Sequence, residues 1–167
     1  MQTTVPVTHF SLVDHRGKQV TEENFKGNWL IVFFGFTNCP DVCPTSMERI
    51  AEAYRILNAE SDRLTVLFIT VDPSRDSPAV LANYVTAFNE RFIGLTGTDA
   101  QVTAVTKEFG VYAKKGTPNQ NGQYSIEHST SFYLVDPHGR FNRSFSAETS
   151  AAQLATSLKK AMSTEND

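Results

Sequence analysis

The chain has 167 residues, 40% of them hydrophobic and 20% charged, a balance that argues for one domain with a core that needs no covalent staples. Fifteen Lys and Arg against 18 Asp and Glu leave a formal charge of −3, which argues against a nucleic-acid or anionic-membrane surface, because either would show a basic face. The longest apolar run is eight residues, Trp29 to Phe36, where a spanning helix needs about 20. The first residues have neither the charge nor the apolar stretch of a signal peptide.

In chain order, residues 9–13 and 18–20 flank Asp14-His15-Arg16-Gly17 and read as a short hairpin. Residues 29–36 are apolar throughout and rich in aromatic and β-branched side chains, as a strand buried on both faces should be. Met47, Ile50, Tyr54 and Leu57 recur at helical spacing. Residues 64–71 form a second buried strand. Asp76-Ser77-Pro78 then opens a helix, with Asp76 as the expected cap, Pro78 in the first turn, and Leu81, Tyr84, Val85 and Phe88 inward. Residues 92–95 make a brief strand. Thr98 and Gln101 form a capping box ahead of a helix with Val102, Val105 and Phe109, and Gly110 ends it.

The polar stretch 114–123 reads as a surface loop. Residues 131–135 and 140–145 around Asp136-Pro137-His138-Gly139 form a second hairpin. A last helix carries Ala151, Leu154, Leu158 and Met162, and residues 163–167 should fray. Strands alternating with helices, closed by an antiparallel hairpin, predict an α/β domain spanning 1–167. Its mixed, mostly parallel sheet should have flanking helices and an N-terminal hairpin.

Two cysteines are too few for a disulfide scaffold, yet Cys39 and Cys43 lie only four apart, just past the end of the first buried strand. That position points to a thioredoxin-like arrangement. On a helix, residues i and i+4 share one face, and a helix start favours thiolate over thiol. Pro40 and Pro44 stiffen the junction and give up N–H groups that lack helical partners anyway. Such a pair can close a disulfide, bind a soft metal, or act as peroxidatic and resolving thiols. Two small buried side chains would be the plain alternative, but it leaves the prolines and the strand-end position unexplained.

A metal site needs a third ligand. Of four histidines, His15 and His138 fall in turns and are expected to be solvated, while His9 gives no signal. His128 lies at the end of the long loop, just before the terminal hairpin, where a thioredoxin-like fold faces the cysteine-bearing helix start. Two thiolates and an imidazole suit Cu(I) best. Cys₂His with an open position also holds Zn²⁺, so zinc stays open.

The segments Phe33-Phe34-Gly35-Phe36-Thr37-Asn38-Cys39-Pro40-Asp41-Val42-Cys43-Pro44, Val71-Asp72-Pro73-Ser74-Arg75-Asp76-Ser77-Pro78 and Gly94-Leu95-Thr96-Gly97-Thr98 belong together with His128 ahead of Phe132-Tyr133-Leu134-Val135. With them the chain, from about Phe10 to the final helix, resembles the Sco/SenC family of copper-binding, thioredoxin-fold assembly proteins of cytochrome c oxidase. The resemblance implies Cys39, Cys43 and His128 as ligands of copper, Cu(I) or Cu(II), with the two cysteines also a redox pair. It places Asp72 near the site as an assisting group rather than a firm ligand. The family often reads Tyr-x-Val-Asp-His before its histidine, and this chain has Tyr124-Ser125-Ile126-Glu127-His128. The acidic character survives.

The implied function is a metallochaperone for the dinuclear copper site of cytochrome c oxidase subunit II. The resemblance also implies other periplasmic copper chaperones or thiol reductases as partners. The family works in the bacterial periplasm or the mitochondrial intermembrane space, tied to the membrane by an N-terminal helix that this chain does not carry. A thiol-disulfide reductase acting on the cysteines of that same site, or on other periplasmic thiols, is the nearest alternative. Its usual C-x-x-C is one residue shorter, and residues 126–131 lack the proline that such enzymes carry before the terminal hairpin. A thiol peroxidase ranks lowest, because Thr37-Asn38-Cys39 is one residue short of Thr-x-x-Cys.

Overall fold

The computed structural model describes residues 8–38, 42–111, 113–116, 120, 126–128 and 131–164, with the backbone alone for 42–43, 113–115, 126–128 and 164. The elements run β1 (Ser11–Asp14), β2 (Gln19–Thr21), β3 (Trp29–Gly35), α1 (Val42–Leu57), β4 (Leu64–Thr70), α2 (Pro78–Thr86), β5 (Ile93–Thr96), α3 (Asp99–Phe109), β6 (Ala113–Lys115), β7 (Ile126–His128), β8 (Ser131–Val135), β9 (Phe141–Ser146) and α4 (Ala151–Thr164).

Seven strands form one sheet in the order β2-β1-β5-β4-β3-β8-β9. Parallel pairing is confined to β5-β4-β3, and the four outer pairings are antiparallel. The sheet is therefore mixed, with a smaller parallel part than strand–helix alternation alone suggests. The N-terminal hairpin is the reason on one side: β1 docks antiparallel on β5, with Val13 opposite Thr96.

Every residue of β3 is buried, and the pleat sorts them onto two faces. Ile31 and Phe33 join Phe68 and Phe132 under Met47, Ile50, Leu81, Leu154 and Leu158, so α1, α2 and α4 cover one face. Leu30, Val32 and Phe34 join Leu67, Ile69 and Tyr133 under Val102 and Val105 of α3. Covering both faces removes any reason for polar alternation in the central strands. Each large side chain buried this way contributes roughly 1.5–3 kcal/mol relative to exposure.

Local chemistry sets the turns. Asp14 accepts the backbone N–H groups of Arg16 and Lys18 at 2.9 and 3.0 Å, and Asp136 accepts those of His138 and Arg140 at the same two distances. Each turn closes on a glycine of positive φ, Gly17 at 85° and Gly139 at 84°, where an L side chain would be strained.

The structure corrects two expectations. Ser77, not Asp76, caps α2, its hydroxyl accepting the Val80 N–H. The stretch read as a loop from residue 114 begins inside β6, which pairs antiparallel with β7 as a separate two-stranded sheet, Ala113 opposite His128. Residues 117–119 and 121–123 of that stretch lie outside the described residues. The last helix, α4, runs through Thr164, and residues 165–167 of the segment expected to fray lie outside the described residues. No helix among the described residues is long and apolar enough to cross a membrane.

Candidate metal centre

β3 and β4 run parallel in register, Gly35 beside Thr70, so the segments leaving their carboxyl ends start side by side. In such a sheet this edge is where sites form. The first segment, Phe36 to Asn38, leads to Cys39, which lies outside the described residues. Cys43 falls in the first turn of α1, as its spacing to the prolines predicts; only its backbone is described. The second segment runs from Val71 to Ser77 and joins the first at once, the Val71 N–H donating to the Gly35 carbonyl at 2.8 Å.

Asp72 is only 1% exposed. Its carbonyl accepts the N–H groups of Arg75 and Asp76 at 3.2 and 3.0 Å, and its own N–H donates to the Thr70 hydroxyl at 2.9 Å. Its carboxylate accepts the Ser74 hydroxyl at 3.1 Å and an N–H of the Arg75 guanidinium. A buried charge so engaged braces the loop it sits in.

Asp76 is fully buried, and its carboxylate accepts three hydrogen bonds. They come from the Thr37 N–H at 3.0 Å, the Thr37 hydroxyl at 2.6 Å and the Thr70 hydroxyl at 2.7 Å. Arg75 lies 5.9 Å over the ring of Phe36. The second segment thus grips the two residues before the cysteine loop. Sequence reasoning missed Thr37 and Asp76. Pro78 at the first helical position was the available signal, because it makes Ser77 the cap and leaves Asp76 for another task.

His128 is the last residue of β7, with its side chain outside the description. It stands three residues before β8, which pairs with β3 from Phe132 opposite Phe33. Three residues span at most about 11 Å, so His128 lies toward the sheet end where β3 stops and the cysteine segment begins. The other histidines go elsewhere. His138 is exposed in its turn, His9 faces Glu22 with Nδ1 3.2 Å from the carboxylate, and His15, expected in solvent, is half-buried against Gly94.

A mixed α/β sheet with paired cysteines at the junction between its central strand and the following helix defines a thioredoxin-like domain. Residues 2–163 match the family model SCO1/SenC. The chain is 40% identical over 163 residues to the bovine (Bos taurus) mitochondrial protein SCO2 homolog, covering 96% of this chain and 61% of that protein. It superposes on Bradyrhizobium japonicum ScoI with copper bound at a TM-score of 0.85 and 40% identity, covering 92% and 98% of the two chains. It also superposes on BsSco, described as a member of the Sco family of cytochrome c oxidase assembly proteins with a disulfide switch. That match has a TM-score of 0.75 and 25% identity, over 98% and 96% of the chains. The chain belongs to the SCO1/SenC family.

Proposed function

We propose that this chain is a copper metallochaperone domain for the dinuclear copper site in subunit II of cytochrome c oxidase, and that it binds copper through Cys39, Cys43 and His128. The observation that carries the reading is the junction itself. In the sequence a Cys-x-x-x-Cys pair spans the passage from the central strand β3 into α1, and His128 ends β7 three residues ahead of β8, the strand that pairs with β3. Two thiolates and an imidazole are the soft donor set that suits Cu(I). The copper-bound ScoI supports it at 40% identity. Asp72 acts at second hand, through the loop it braces. The domain works in the periplasm, or in the intermembrane space if the cell is eukaryotic.

A three-ligand site suits handover, because an incoming thiolate can join before one of the original ligands leaves, so no free ion is released. Mixing the copper-loaded domain with reduced, metal-free subunit II domain tests the reading. Copper should move and generate the partner's absorption bands. No transfer at equimolar protein, together with fast turnover of disulfide substrates, would favour a thiol-disulfide reductase instead, the reading that the disulfide switch of BsSco supports.

A further inference from the structure

We propose that Asp76 is a positioning residue for the cysteine pair: through Thr37 it fixes the backbone two residues before Cys39. The proposal deepens the copper reading and rests on it where copper is concerned. A fully buried carboxylate persists only when its oxygens are engaged by donors, and here two of the three donors belong to one residue, Thr37. One of those is the backbone N–H, so the main chain is held, not merely a side chain. Capping α2 would require none of this, and Ser77 does that work.

The grip is tied to the rigid sheet. The Thr70 hydroxyl, on the last residue of β4, accepts the Asp72 N–H and donates to Asp76. Arg75, from the same segment, covers Phe36. The path to Cys39 therefore leaves a fixed point rather than a free loop. Fixing that point raises the effective concentration of one sulfur at the other and spares a metal the cost of ordering the segment. Losing it should make the disulfide less stable and the copper more easily removed, while the α2 cap remains.

The test compares Asp76→Ala, Asp76→Asn, Thr37→Val and Ser77→Ala in two assays. One is the equilibrium of the Cys39–Cys43 pair with glutathione; the other is retention of Cu(I) against a competing chelator. Asp76→Ala should lower both equilibrium constants about tenfold or more; for the disulfide that is ~30 mV. Asp76→Asn should recover both to within about threefold. Its amide oxygen still accepts from the Thr37 N–H and the Thr70 hydroxyl, and the Thr37 hydroxyl can turn to accept from the amide NH₂. Thr37→Val, which keeps the N–H bond, should fall between. Ser77→Ala should lower the melting temperature and leave both constants unchanged.

Wild-type values in folded Asp76→Ala would overturn the proposal, as would equal losses in Ser77→Ala. If Asp76→Ala does not fold, wild-type values in Thr37→Val overturn it. A wild-type protein that binds no copper refutes the proposed function instead, and the glutathione equilibrium then judges Asp76 alone.

Discussion

His15 Nδ1 accepts the backbone N–H of Gly94 at 3.1 Å, which staples the first turn of the chain to the edge of the parallel sheet. An acceptor nitrogen carries no proton, so the neutral ring with hydrogen on Nε2 makes this bond. Burial pushes the His15 pKa below its ordinary 6.5; Asp14 opposes the shift and Arg16 adds to it. The unfolded chain therefore takes up a proton at a pH where the folded ring is still neutral. The stability from this contact is complete above about pH 6.5 and is lost as pH falls through the lowered folded-state value. Urea midpoints measured from pH 7 to pH 5 should fall more for wild type than for His15→Asn, whose carbonyl keeps an acceptor that does not titrate. Parallel slopes would contradict the assignment.

Gly94 has a second constraint on its other side. A Cβ built there would stand 3.0 Å from Leu81 Cβ and 3.4 Å from Val85 Cγ1, both fully buried on α2. Neither neighbour can swing away, so Gly94→Ala must push the helix off the sheet, at a cost of about 1–3 kcal/mol. At Gly97 the nearest atom to an added Cβ is the far end of Gln101, Oε1 at 2.5 Å. Gly97→Ala should therefore cost less, about 1 kcal/mol, the worth of the capping box that must open. Chemical denaturation of both variants tests the order; a Gly97→Ala loss larger than that of Gly94→Ala would reverse it.

Trp29 is 1% exposed, and its Nε1 has no hydrogen-bond partner among the described residues. A buried donor left unpaired costs roughly 1–3 kcal/mol. Trp29→Phe removes that penalty while giving up part of the packing, so the two effects should nearly cancel, leaving a net change within about 1 kcal/mol. A loss above about 3 kcal/mol, typical of gutting a core aromatic, would mean that the indole N–H is satisfied in solution.

What the residues reveal in advance depends on how local the cause is. The capping box of Thr98 and Gln101, the αL Gly110 and the apolar run into β3 are short-range patterns, and each appears in the structure as read. The Thr37–Asp76 bonds join residues 39 apart and leave no local trace. Asp76 and Ser77 are both good capping residues, so the local pattern alone does not tell which of them caps α2. The β6–β7 pair is three residues long on each side, bears Lys114, Lys115 and Glu127, and closes across an excursion of ten residues. Neither period nor apolarity marks it. Of the candidate site, the residue types and spacings were legible from the start. The loop that holds the approach to Cys39 was not, because tertiary contact alone defines it.

The cysteine pair should cycle between dithiol and disulfide, and oxidation should abolish Cu(I) binding, because a disulfide sulfur no longer offers the thiolate that the metal needs. Residues four apart in a helix have Cα atoms about 6 Å apart, near the upper part of the range a bridge tolerates, so the turn carrying Cys43 should adjust on closure. Thiol labelling of reduced protein, with and without Cu(I), checks this. Copper should protect both sulfurs, and labelling that proceeds equally in both samples would exclude thiolate ligation.

The most direct measurement is the copper content of reduced, dialysed protein beside Cys39→Ser, Cys43→Ser and His128→Ala. The wild type should hold one copper per chain. Each variant should lose copper strongly, since removing one of three soft donors leaves a site that water must complete. A His128→Ala protein that holds copper as tightly as wild type would contradict the three-donor site.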